Sequence, residues 1–283
     1  MKAHEMKNII SYALWGKEPR YTGNIAWTII ANSAIYPEYI SRFYVHHESL
    51  ELRECKLLAM ASQKFPDLVE VEVLNEKVIG TKFTAWRMKP LWEKNTRMLL
   101  CRDLDHITNT PERRSVEWFC KNSDKMIHSI RSYALHTVPY MAGLCGFKSH
   151  LVRAHIWKYV SNFDKYIAWG EKKIKYCKDG WIWGCDQALL RDFFGHHGMY
   201  PHTLDCPQFT APKSIGGFNA PSLDISYYKD IDVPQCNHAA LKYSNSIAPG
   251  FTGAACDATT DQMNILIEIV NNDIAKMVKG FYA

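Results

Sequence analysis

The first half of this chain alternates short β-rich runs with helix-length stretches, and that alternation limits its possible folds more than any other feature. Asn8–Trp15 predicts a buried strand, stopped by Gly16 and Pro19. Thr22–Ile35 has helical apolar spacing and ends before Pro37. Tyr39–Val45 is β-rich, and Ser49 predicts the cap of a helix over Leu50–Ser62. Val69–Leu74 alternates apolar and acidic residues, as an edge or half-buried strand does. Arg97–Cys101 predicts another apolar strand. Thr110-Pro111-Glu112 then opens a helix to about Lys121: Thr caps, Pro suits the first helical position, and Glu suits the positive end of the helix dipole. Strand-like Lys125–Ile130 and Tyr140–Leu144 follow. This order predicts an α/β fold with a mostly parallel central sheet flanked by helices. Sheets of that kind bind ligands beyond the carboxyl ends of their strands.

The second half is less regular. His150–Phe163 predicts a helix, and Asp186–Phe194 a short one stopped by Gly195. Residues 195–258 are rich in Pro, Gly, Asn and Ser, which predicts long loops. Thr259 and Gln262 form a capping box before the helical spacing of Met263, Leu266, Ile267, Val270, Ile274, Met277 and Val278, closed by Gly280. We read one domain over 1–283, with a regular half to about residue 148 and, from about 149, a loop-rich half that ends in the C-terminal helix.

A chain of 283 residues with 47% apolar and 22% charged residues can bury its own core, which argues against disorder, collagen and coiled coil. No apolar stretch approaches the roughly 20 residues of a membrane helix, and Met1–Lys7 lacks a signal-peptide core. These features predict a cytoplasmic protein. Nine cysteines, with no C-x-x-C pair, fit neither a disulfide scaffold nor a zinc ribbon. Residues 151–180 hold seven basic side chains against three acidic ones, which reads first as a solvated helix face and otherwise as a landing surface for an anionic partner.

The segment that carries chemistry is Arg102-Asp103-Leu104-Asp105-His106, which follows the apolar run 97–101. Two acids spaced i, i+2 share a face along an extended chain, and they leave the strand where the sheet presents ligands. Such a pair needs a positive partner. A divalent cation, Mn²⁺ or Mg²⁺, is a hard ion that takes carboxylate and phosphate oxygens together.

With that segment in place, the chain resembles the D-x-D glycosyltransferases of the GT-A fold, closest to a branch found in bacteria, viruses and phages. Ile10–Gly16, Tyr36-Pro37-Glu38-Tyr39 with Arg42-Phe43-Tyr44, Trp86-Arg87, Arg102–Asp105, Glu112-Arg113 with Val116-Glu117-Trp118, Met141–Gly146 and Trp183–Gln187 carry the likeness in order. It covers roughly residues 9–203, with a weaker echo at Pro249–Gly253. Two departures stand out. His106 replaces a common Ser, and Arg131-Ser132-Tyr133 replaces an Arg-Asp-His run, with His136 retained downstream.

The resemblance implies transfer of a hexosyl or pentosyl group from a nucleoside-diphosphate-sugar to an acceptor hydroxyl. On that resemblance the acceptor would be a glycan, a protein or a modified DNA base such as hydroxymethylcytosine. It implies Asp105 as a metal ligand and Asp103 as a ligand or ribose contact, with His202 in Pro201-His202-Thr203 as a further candidate ligand. Arg87 and Arg102 would add positive charge near the diphosphate, the competing role being structural pairing. Tyr12 and Trp15 would flank the donor base, the competing role being core packing. Asp186 is the candidate base or reacting-face residue, its alternative a helix N-cap. His136, Trp183 and Gln187 fall on the acceptor side. Two other readings compete. A nucleotidyltransferase would also pair acids with a metal, but the loop Gly16-Lys17-Glu18-Pro19-Arg20 has a single glycine where a phosphate loop is expected. A metal-stabilised nucleic-acid-binding protein would need the Cys-x2-Cys spacing this chain lacks.

Overall fold

The computed structural model describes residues 6–205, apart from 18, 23, 76–79, 107, 109, 132–137, 179 and 182–183. The fold is mixed α/β, with a mostly parallel sheet flanked by helices on both faces. In chain order it runs β1 (Lys7–Leu14), α1 (Pro19–Thr22), α2 (Ile25–Ile35), β2 (Tyr39–His46), α3 (Arg53–Lys64) and β3 (Val69–Leu74). A long 3₁₀ segment over Gly80–Trp92 leads to β4 (Thr96–Arg102) and α4 (Thr110–Asn122). β5 (Ile127–Arg131) and β6 (Leu144–Lys148) follow, then α5 (Ser149–Ile156), α6 (Phe163–Lys173), α7 (Lys175–Lys178), α8 (Cys185–His196) and β7 (His202–Asp205).

The sheet order is β3-β2-β1-β4-β6-β5-β7. β6 runs antiparallel to both neighbours, and every other pairing is parallel. The chain steps outward from β1 to β2 and β3, then returns to the other side of β1 as β4. The carboxyl ends of β1 and β4 therefore flank a topological switch point, where open α/β sheets bind ligands. β7 comes from the second half of the chain and pairs with β5, so both halves build one sheet.

Strand alternation sorts the core into two layers. Ile10, Tyr12, Leu14, Met98 and Leu100 meet α2, α3 and α4 through Ile25, Leu58 and Phe119. Ile9, Leu99, Cys101, Cys145 and Phe147 face the 3₁₀ segment, α5, α6 and α8, through Phe83, Leu91, Val152, Tyr166 and Phe194. Both faces of β1 and β4 are covered, as buried parallel strands require.

The connections depart from expectation. Ser49 does not cap α3. It lies in a 3₁₀ turn over His47–Ser49, its hydroxyl donates to the Gly16 carbonyl at 2.8 Å, and Leu52 precedes the helix. Tyr140–Leu144 is not a strand. The chain turns there, with the Leu144 N–H on the Met141 carbonyl at 2.8 Å, and β6 begins only at Leu144. The helix expected over His150–Phe163 breaks after Ile156, and Asn162 caps α6 by accepting from the Lys165 N–H at 2.9 Å. Gly195 lies inside α8 rather than stopping it. The C-terminal loops beyond residue 205 and the helix expected after Thr259 lie outside the described residues. Among the described residues, no helix is long and apolar enough to cross a membrane. In the basic stretch, Arg153 is buried and donates to the carbonyls of Leu91, Lys94 and Thr96, whereas its six lysines are exposed.

Candidate active site

At the end of β4 the chain makes a tight turn. The His106 N–H bonds the Asp103 carbonyl at 3.0 Å, and Leu104, 2% exposed, plugs into the α2–α4 side of the core. Burial of Leu104 pins the middle of the turn, which leaves its two acids at the carboxyl edge of the sheet. The Asp103 side chain is 47% exposed. Gly143, in the turn before β6, passes so close that a Cβ there would stand 1.9 Å from an Asp103 carboxylate oxygen. Only glycine permits that approach.

Arg87 reaches this turn from the 3₁₀ segment. Its guanidinium is buried and donates through Nη1 to Asp103 Oδ1 and through Nη2 to Asp186 Oδ2, the latter at 2.5 Å. Burial opposes the charge, but the two carboxylates outweigh it and raise the guanidinium pKa above its ordinary value. Three residues far apart in sequence thus meet at one point, and the trio carries a net charge of −1. Asp186 sits in the first turn of α8, where the helix dipole favours an anion. Gly184 precedes the helix with φ of 81°, a left-handed conformation that suits glycine. The second Asp186 oxygen accepts from the Gln187 N–H at 2.8 Å, so both oxygens are engaged. Gln187 is half-buried beside it. Trp15 leaves the neighbouring strand β1 with 40% exposure, a ring open to solvent at the same edge.

Other expected site residues lie elsewhere. Arg102 does not face the crevice. It is fully buried, donates to Glu112 Oε1 from Nε at 2.8 Å and to the Cys101 and Cys145 carbonyls, and so is a core residue. Tyr12 is likewise buried, stacked on Phe43 with ring centroids 4.9 Å apart and bonded to Asn32. It does not reach a donor base. His202 is not brought to the acid pair. It pairs with His128, which aligns with Gly146 and so with Leu100, three strand spacings or roughly 14 Å from β4. Its ring packs on Trp118 at 4.8 Å. His136 and Trp183 lie outside the described residues.

Among the described residues, no three His, Cys, Asp or Glu side chains gather into a metal cage. The donor set at the turn is two carboxylates, which suits an ion completed by phosphate oxygens and water rather than by protein alone. Cys101 and Cys145 lie beneath the site as free, buried thiols, and burial raises the pKa of both, that of Cys145 to about 12.

Sequence reasoning missed two features. Gly143 falls in a strand-like run and in the Met141–Gly146 segment of the resemblance, and neither signals its close approach to Asp103. Glu112 was read as a dipole partner for its helix, yet it is fully engaged in the core. Its Oε1 takes Arg102 and the Tyr36 hydroxyl at 3.1 Å, and its Oε2 lies 2.5 Å from His106 Nε2.

No protein-family model matches the chain, and no curated protein matches it in sequence. Among solved structures, a mannosyltransferase from Pyrobaculum calidifontis in complex with GDP-mannose and Mn²⁺ is similar, with a TM-score of 0.39 and 10% identity over 58% of this chain. The chain spans about half the length of that protein, 51% of it. So slight a likeness has no bearing on activity.

Proposed function

We propose that the chain is a metal-dependent glycosyltransferase, moving a sugar from a nucleoside-diphosphate-sugar to an acceptor hydroxyl. The observation that carries this reading is Arg87 joining Asp103 to Asp186 beside the switch point. It brings a buried cation and two carboxylates together in the turn that also carries Asp105, at the edge where an α/β sheet of this kind receives ligands. Asp105 and Asp103 would hold Mn²⁺ or Mg²⁺. When bound, that ion would stabilise the charge that develops on the departing diphosphate. Arg87 holds Asp103 and Asp186 through its two Nη groups, so both carboxylates are already oriented when a donor arrives. Trp15 offers an exposed aromatic face for the donor base.

Asp186 has both oxygens engaged, by Arg87 and by the Gln187 N–H. That arrangement suits a carboxylate that orients the sugar on the reacting face, with Gln187 next to it, better than one that must swing to collect a proton. A catalytic base needs hydrogen-bond reach to the acceptor hydroxyl, and a side chain already held by two donors is poorly placed to provide it.

The test is a donor screen with Mn²⁺ that measures nucleoside diphosphate release, with Asp105→Ala beside the parent. Release by the parent and its loss in the variant is the expected result. A variant that hydrolyses donors as fast as the parent removes the metal assignment, and a parent inert toward every donor removes the transferase reading.

A further inference from the structure

We propose that Glu112 is a positioning residue for the acid pair, gripping the chain on both sides of it and fixing the spread of the two carboxylates. Arg102 immediately precedes Asp103, and His106 immediately follows Asp105. Glu112 holds both. Its Oε1 accepts from Arg102 Nε at 2.8 Å and lies 2.7 Å from Nη2. Its Oε2 lies 2.5 Å from His106 Nε2. One carboxylate therefore brackets the whole turn, which is also closed by its own backbone bond and anchored by Leu104. Glu112 is itself fixed, in the first turn of α4 and by the Tyr36 hydroxyl.

A purely architectural role, docking α4 against β4, needs only the Arg102 arm. The His106 arm reaches past the strand to the far side of the turn and adds nothing to that docking. Its consequence falls on the acids. With residue 102 and residue 106 both tied to one point, the backbone that carries residues 103 and 105 cannot open without breaking a buried bond. Residues that orient metal ligands from behind typically control metal affinity by 10–100-fold.

This inference rests on the metal-binding reading above, and the experiment separates the two. Mn²⁺ binding is measured by electron paramagnetic resonance of the free aquo ion, alone and with UDP or GDP present, for the parent and for Asp105→Ala, His106→Ala and His106→Gln. Thermal melts run alongside. His106→Ala keeps the Arg102–Glu112 pair, so it should stay folded, its melting temperature lowered only by the one lost bond to Glu112, while binding Mn²⁺ about 10–100-fold more weakly. His106→Gln, whose amide can still donate to Glu112, should restore most of that loss. Should His106→Ala not fold, the double change Arg102→Met with Glu112→Met is measured instead, because it removes the clamp without stranding a charge. A folded variant lacking the clamp that binds Mn²⁺ like the parent, while Asp105→Ala does not, overturns the positioning role and leaves the metal site standing. A parent that takes up no Mn²⁺ under any of these conditions overturns both.

Discussion

Gly143 and Arg87 set the position of one carboxylate from opposite directions. A methyl group on residue 143 would collide with Asp103, and what would give way is the tip of a half-exposed side chain rather than backbone. Gly143→Ala should therefore cost little stability and much function. Thermal melts should match the parent, while donor hydrolysis falls at least about tenfold as Asp103 leaves Arg87. Unchanged hydrolysis would show that the position of Asp103 does not matter. Arg87 makes the complementary case. Its planar fork spans two carboxylates at once, and the point charge of a lysine cannot. Arg87→Lys should lose about 10²-fold or more in turnover, like the removal of one preorganised donor, despite keeping the charge. Steady-state rates of the two variants against the parent decide both expectations.

The elements show what was legible in the sequence. Strands β1, β2, β3 and β4 fall within a residue or two of expectation, because apolar runs bounded by Gly, Pro and acids have few other uses. The connectors did not follow, since caps and turns depend on tertiary partners: Ser49 found the Gly16 carbonyl instead of a helix N-terminus. The 3₁₀ segment that delivers Arg87 has no periodic signature at all. Within the site, Asp103, Asp186 and Arg87 were each nameable, but their meeting was not, because residues 16 and 99 apart are joined only by the packed fold. Arg102 was the avoidable error. It is in phase with Met98 and Leu100, which face the α2–α4 layer, so the period of two already turned it inward. That layer yields a prediction of its own. Glu112→Gln strips the charge opposite a fully buried Arg102. An unpaired buried charge of that kind costs about 3–5 kcal/mol, so urea unfolding should show a loss of that size. The Arg102→Met/Glu112→Met pair should recover most of it. A single change worth less than about 1 kcal/mol would mean that water reaches the guanidinium.

At the scale of the whole molecule, two buried groups make the fold acid-sensitive in successive windows. His128, on β5, is fully buried, stacked on Phe119 of α4 with ring centroids 5.0 Å apart and 3.1 Å from the Ser115 hydroxyl. Burial, helped by the neighbouring His202, lowers its pKa from 6.5 to about 3. The unfolded chain takes up a proton below 6.5 that the folded chain refuses, so this group's stability is intact above 6.5 and drains away as pH falls toward 3. Glu112 acts lower down. Burial alone would raise its pKa, but Arg102 and His106 outweigh that and bring it to about 2 from 4.5. Its contribution is present above 4.5 and is lost as pH falls toward 2. Where His128 alone titrates, stability should fall by about 1.4 kcal/mol per pH unit from that one proton. Replacing the imidazole with a neutral side chain that does not titrate, as in His128→Gln, should reduce that slope between pH 6 and 5. What remains is the smaller share of His197, whose pKa is also lowered by burial, and the steeper collapse below about pH 4.5, where carboxylates titrate. The variant will be less stable than the parent at neutral pH, because a packed ring is lost, so slopes rather than absolute values decide. Urea unfolding at pH 7, 6 and 5 gives them. Parallel slopes for parent and variant over that range would mean that His128 is not the group refusing the proton, and that the β5–α4 contact is wetter than its packing implies.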